Sequence, residues 1–139
     1  MSASPPNRLP RSARLRSRGE FDHVFSISMR ASDAYFAVLL AASDQPWPRL
    51  GISVSRRFGN AVRRNRAKRL IREAFRVLRH DWPAHTDWVI IPKAAGKKLT
   101  LSQVKESLDG LSTCLLRRTQ RAANRTSTPI PDEPESQPN

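Results

Sequence analysis

Two periods of hydrophobic position alternate along this chain. Between residues 62 and about 80, Ala67, Leu70, Ile71, Ala74, Phe75 and Leu78 recur at the spacing of one helical face, which predicts an amphipathic helix ended by Pro83. Residues 102 to about 122 repeat the pattern, with Val104, Leu108, Leu111 and Leu115 on one stripe. On that last helix Cys114 is expected to fill a small buried site. A shorter helix is predicted from Ser17 to near Ser28: Ser17 and Glu20 have capping-box spacing, and Phe21, Val24 and Phe25 follow at helical intervals.

The other segments read as strands. Residues 35–42 and 87–92 are continuous apolar runs suited to buried strands, and Gln45-Pro46-Trp47-Pro48 forces a turn after the first. In residues 49–55, Leu50, Ile52 and Val54 alternate with Gly51, Ser53 and Ser55, so one sheet face is apolar and the other carries only small side chains. Such a face admits the close approach of a ligand; the competing reading is an ordinary solvated face, which more often shows Lys, Glu or Thr. With a further strand near residues 29–33, the elements predict an α+β fold in which a single sheet packs against helices.

Length and composition set the boundaries. The 139 residues suit one domain, placed at residues 14–121. Residues 1–13 are expected to form a disordered basic tail and residues 122–139 a disordered Pro- and Ser-rich acidic tail. The loop Gly96-Lys97-Lys98 is expected to be basic and mobile. With an apolar share of 38% the core must be small, and one cysteine excludes both an intrachain disulfide and a Cys-based zinc site. No run approaches the ~18 apolar residues of a membrane span. The N-terminus lacks the apolar stretch of a signal peptide, and Pro5, Pro6 and Pro10 oppose a helical transit peptide. A cytoplasmic location without membrane contact is expected.

Charge changes the picture most. Against 12 acids stand 25 basic residues, for a net charge of +13, which calls for a polyanionic partner. The excess concentrates between Arg56 and Arg79, where ten basic residues face one acid, Glu73. With Ile71 set at zero on a helical wheel, the apolar group spans roughly −100° to +40°, and Lys68, Arg72, Asn65, Arg76 and Arg69 fall at roughly 60° to 160°. Arg64, Lys68, Arg72 and Arg76 recur every fourth residue, a rise of about one turn, so they can meet successive phosphates of one strand. A solvated face serving solubility is the bland alternative, opposed by the scarcity of pairing acids. A helix lying on a membrane is opposed by the core's need for the apolar arc.

No catalytic or metal-ligating residue is assigned. The carboxylates are scattered singly rather than converging as two-metal hydrolysis requires. His80 and His85 have no partner constellation, and neither does His23. Gly59-Asn60 reads as the turn into the basic helix, not as a phosphate loop.

Residues 56–76, RRFGNAVRRNRAKRLIREAFR, closely resemble the signature of the bacterial ribonuclease P protein subunit, G-N-A-V-x-R-N-R-x-K-R-x-x-R-E, with every position filled. Phe21, Val24 and Phe25 look like that family's F-x-x-V-F first helix, residues 49–55 like its R-x-G-x-S-V-S strand, and residues 87–92 like its last strand. The resemblance covers about residues 13 to 120. It implies the order α-β-β-β-α-β-α with a left-handed β-α-β crossover, akin to a ribosomal-protein domain, where the general rule gives a right-handed one. It also implies an assembly in which a catalytic RNA removes the 5′ leader of precursor transfer RNA by Mg²⁺-dependent hydrolysis, the ion bound mainly by the RNA components and the protein acting as accessory subunit. No protein partner is implied.

Carried over by position, Arg64, Asn65, Arg66, Lys68, Arg69 and Arg72 would belong to a basic helix that docks on the catalytic RNA and helps organise metal near the cleavage site. Arg56, Arg57, Asn60, Arg63 and Arg76 complete the candidate RNA-binding set. Phe21, Phe25 and Phe36, with Ser53 and Ser55 of the small face, would line a cleft for the single-stranded leader, where aromatics beside a basic groove suit sequence-tolerant stacking. Core packing is the competing reading for each phenylalanine. The chain also departs from the family at Leu39, where members often carry an aromatic. A ribosomal-type RNA-binding protein or RNA chaperone shares the charge and fold class. A sequence-specific DNA-binding module would need a protruding recognition helix, whereas this helix buries one face.

Overall fold

The computed structural model describes residues 10–93 and 98–127. Its elements run α1 (Arg18–Ile27), β1 (Met29–Ser32), β2 (Phe36–Ala42), β3 (Arg49–Ile52), α2 (Ala61–Leu78), β4 (Thr86–Pro92) and α3 (Leu101–Ser127), with short 3₁₀ turns at Arg11–Ala13, Arg56–Phe58 and Arg79–Asp81. This is the expected α+β order.

Local chemistry places the helix starts. The Glu20 N–H donates to Ser17 Oγ (3.1 Å) and the Ser17 N–H to Glu20 Oε1 (3.0 Å), a closed capping box. Asn60 caps α2 by accepting from the Arg63 N–H (3.0 Å). In the β1–β2 turn, Asp33 Oδ1 accepts from the N–H groups of Tyr35 and Phe36, each at 2.8 Å. Asp33 Oδ2 also accepts from the Ser107 hydroxyl, which ties α3 to that turn.

The strands form one mixed sheet in the order β1-β2-β4-β3. β2 pairs antiparallel with both neighbours, while β3 and β4, joined through α2, are parallel from Arg49↔Asp87 to Ile52↔Ile90. Strand alternation divides the core in two. On one face Phe36, Val38, Leu40, Leu50, Trp88 and Ile90 pack beneath α2 and α3. There Trp82 stacks on Trp88 at 4.1 Å between centroids and meets the edge of Phe75 at 5.1 Å. On the other face Leu39, Ala41 and Val89 pack against Leu15 and Val24, with Phe21 and Ile91 half covered.

The structure corrects several expectations. Strand 49–55 stops at Ile52: one more ladder bond forms, from the Ser53 N–H to the Ile90 carbonyl (3.1 Å). The next would need an N–H on residue 92, which is proline. Residues 10–13 are not a tail. Ala13 is 2% exposed, and the chain continues along β3 through the Leu15 N–H donating to the Leu50 carbonyl (2.8 Å). At the other end, α3 continues to Ser127, past the expected boundary at 122. Cys114 is exposed, because it lies one residue, about 100° of helix, from the stripe centred on Leu115. Phe36 is 2% exposed in the main core, on the face opposite α1. Of the expected mobile loop, Gly96 and Lys97 lie outside the described residues, as do residues 1–9 and 128–139 of the expected tails. No helix among the described residues is long and apolar enough to cross a membrane.

The small face of β3 is occupied rather than open at its centre. A Cβ added to Gly51 would stand 2.7 Å from Phe21 Cε1 and 2.9 Å from Leu15 Cδ1, so glycine here admits the protein's own α1. Gly51→Ala is therefore expected to lower unfolding stability by about 1–3 kcal/mol through overpacking. Urea titration checks this, and an unchanged midpoint would mean that Phe21 gives way at no cost.

Candidate nucleic-acid interface

α2 presents its buried arc, Ile71, Ala74 and Phe75, to the main core. Arg66 Nη2 donates to the Leu99 carbonyl just before α3 (3.2 Å), which fixes that flank of the helix toward α3. The opposite flank, carrying Asn65, Lys68, Arg69, Arg72 and Arg76, lies on the side of β3. Asn65 and Arg69 are exposed, while Lys68, Arg72 and Arg76 are half-buried, an arrangement in which apolar stems lie on the domain and charged heads reach water.

These cations are poorly compensated. Among the described residues the one α2 cation that meets a carboxylate is Arg76, 3.5 Å from Glu73. Arg64 donates to the Gly59 carbonyl (3.2 Å), bracing the turn into the helix. The structure thus gathers Asn65, Lys68, Arg69, Arg72 and Arg76 on one flank. It sets Arg63 and Arg66 on the other and places Arg56 and Arg57, both exposed, in the 3₁₀ turn leading in.

On the opposite face of the sheet, α1 forms a shallow floor over β3, the edge strand that α2 also contacts. Phe21 rests on Gly51, Phe25 lies one turn further along α1 and is 48% exposed, and Ile91 is partly open. Ser53 is half-buried at the open end of β3, and Ser55 is exposed just before the 3₁₀ turn. Phe36 does not reach this floor, and Leu39 lies buried beneath α1.

A charged cluster that sequence reasoning missed holds α1 over the sheet. Arg49 at the start of β3 donates Nε to Asp87 Oδ1 and Nη2 to Asp87 Oδ2, both at 2.8 Å, and Nη1 to Glu20 Oε2 at 2.9 Å. Asp87 is 2% exposed. The signal was the charge that opens each of two apolar strands, since parallel register brings those first positions together. The N–H groups of Arg16 and Ser17, followed by the Arg49 guanidinium, outweigh burial and hold Glu20 down to about 2 from 4.5. Because the folded value is depressed, the stabilisation is complete above about pH 4.5 and is lost as pH falls toward 2. Glu20 is a third exposed, so the expected loss over that window is about 1–2 kcal/mol after screening. Denaturation of Glu20→Gln at pH 7 and pH 3 checks it: the gap from the parent protein should shrink at the lower pH.

Among the described residues no three His, Cys, Asp or Glu side chains come together to hold a metal ion. What the surface offers is a cationic flank and, across β3, an aromatic floor, features suited to binding and orienting a single strand.

Comparison with known proteins agrees in sequence and in fold. The Ribonuclease P family model matches residues 9–116. The ribonuclease P protein component of Xanthomonas euvesicatoria pv. vesicatoria is 39% identical over 150 residues, covering 97% of this chain and 99% of that protein. That of Syntrophus aciditrophicus is 36% identical over 105 residues, covering 76% and 88%. The solved RNase P protein from Thermotoga maritima superposes with a TM-score of 0.66 at 35% identity, covering 75% of this chain and 96% of that one. The RNase P protein of Staphylococcus aureus gives 0.65 at 30% identity, covering 78% and 95%. With a basic helix and an aromatic floor on either side of β3, a four-stranded mixed sheet and this breadth of similarity, the chain belongs to the ribonuclease P protein family.

Proposed function

We propose that this chain is the accessory protein of a cytoplasmic ribonucleoprotein whose catalytic RNA removes the 5′ leader of precursor transfer RNA by Mg²⁺-dependent hydrolysis. The observation that carries the reading is the cationic flank of α2, in which Arg76 alone among the described residues meets a carboxylate, with the α1 floor on the other side of the shared edge strand β3. Asn65, Lys68, Arg69 and Arg72 then hold phosphates of the catalytic RNA. Arg64 and Arg66 brace the helix from the turn before it and from the α3 side. Phe25 and the open edge of Phe21, with Ser53, take the single-stranded leader on the exposed surface at the rim of α1, stacking on bases without reading their edges.

As the family resemblance implies, the Mg²⁺ ion is assigned mainly to the RNA. The chain's contribution is to bind, orient and neutralise. Mixing the protein with a bacterial ribonuclease P RNA at low Mg²⁺ and following leader release tests this. Stimulation that requires the RNA, with no cleavage by protein alone, is expected. Binding without stimulation would reduce the protein to a general RNA-binding role, and cleavage by protein alone would move the chemistry into this chain.

A further inference from the structure

α3 carries a second block of positive charge, away from α2. Residues 110–122 contain Arg117, Arg118 and Arg121 and no acid, and all three arginines are exposed. Among the described residues no carboxylate pairs with any of them. The three fall within about one helical turn, and with Cys114 they edge an open hollow of about 330 Å³. Arg118 Nη1 donates to the Arg30 carbonyl (2.6 Å), which fixes the block against β1 and brings the exposed Arg30 beside it.

The helix's own electrostatics do not account for this block. Cations favour a helix C-terminus only within its last turn, and α3 continues to Ser127. Like charges three and four residues apart repel, so the block is unfavourable in the isolated protein. Nor is it an extension of the α2 flank. β1 and β3 are opposite edges of the sheet, with α2 on the β3 side and α3 over β1 and β2. Arg117 shares a hollow with His80, Asp81, Trp82 and Pro83 just after α2, but Arg30 and Arg118 stand at the β1 edge, three strand spacings, about 14 Å, from β3, so one run of phosphates along the β3 side of α2 does not reach them.

We infer that Arg30, Arg117, Arg118 and Arg121 form a second RNA-backbone contact, so that the domain bridges two separate RNA segments, one at each sheet edge. The inference rests on the ribonuclease P reading for the identity of the polyanion. The surface reads charge and spacing, not base sequence.

Cys114 makes the idea testable in the unmodified protein, because it is the chain's single thiol, is exposed and edges the hollow. The full chain is labelled with a maleimide dye, free and in complex with ribonuclease P RNA, with binding followed by gel shift in the same sample. Labelling is expected to slow several-fold in the complex. Arg117→Gln with Arg121→Gln is expected to reduce the slope of log affinity against log salt by about two, at an unchanged thermal melt. RNA that binds while Cys114 labels at its free rate, with an unaltered slope in the double variant, overturns the inference and leaves the ribonuclease P reading standing. Absence of RNA binding overturns both. Slower labelling on raising protein concentration without RNA would assign the block to a protein contact and overturn the inference as well.

Discussion

Replacing Arg49 with methionine is expected to destabilise the domain by about 3–5 kcal/mol, because it strips Asp87 of its bidentate partner while leaving the carboxylate buried. For a domain of this size that corresponds to a fall in melting temperature of about 15–25 °C. Arg49→Lys keeps the charge but loses the planar fork that meets both Asp87 oxygens, and should lie between. Exchanging Arg49 and Asp87 together for apolar residues should recover much of the loss, since removing both charges leaves none stranded. A melt of Arg49→Met within a few degrees of the parent would show that Asp87 finds water or another donor, and would remove the cluster as the anchor of α1.

The cluster also marks what sequence could and could not convey. Apolar patterning located the body of every helix and bounded β2 and β4 closely, because burial is a local pattern, and the capping box announced α1 to the residue. The basic flank of α2 was equally legible, since helical spacing converts directly into a face. Register and face assignment were not. Phe36 and Phe21 look alike in the chain, yet β2 turns Phe36 into the main core while α1 lays Phe21 on Gly51. The meeting of Arg49 with Asp87 spans 38 positions and depends on β3 and β4 lying parallel. The early stop of β3 was written in Pro92, but only the pairing shows which bond that proline denies.

Lys68→Ala with Arg72→Ala is expected to weaken binding to ribonuclease P RNA by about 30- to 150-fold at moderate salt, taking each lost charge-assisted contact as about 1–1.5 kcal/mol. The same variant should lower the salt slope by about two, one per phosphate released. These two sites test the flank more cleanly than Arg64 or Arg66, whose guanidinium groups also hold backbone carbonyls. Affinity measured across a salt series decides the matter, and an unchanged slope would take the α2 flank out of the interface. Phe25→Ala provides the contrast. Phe25 is half exposed and outside both core clusters, so its loss should leave affinity for the catalytic RNA intact and narrow the preference for precursor over mature transfer RNA.

The two-sided core has a dynamic consequence. α2 is bound into the larger hydrophobic cluster together with α3 and all four strands, whereas α1 buries Val24 alone and packs in a cluster of five buried residues. Local opening of α1 therefore requires less free energy than global unfolding, and its amides should exchange with deuterium well before those of α2. The aromatic floor and the docking helix thus belong to separate cooperative units. On the proposed reading, the domain can reshape its seat for the leader while its grip on the catalytic RNA stays folded.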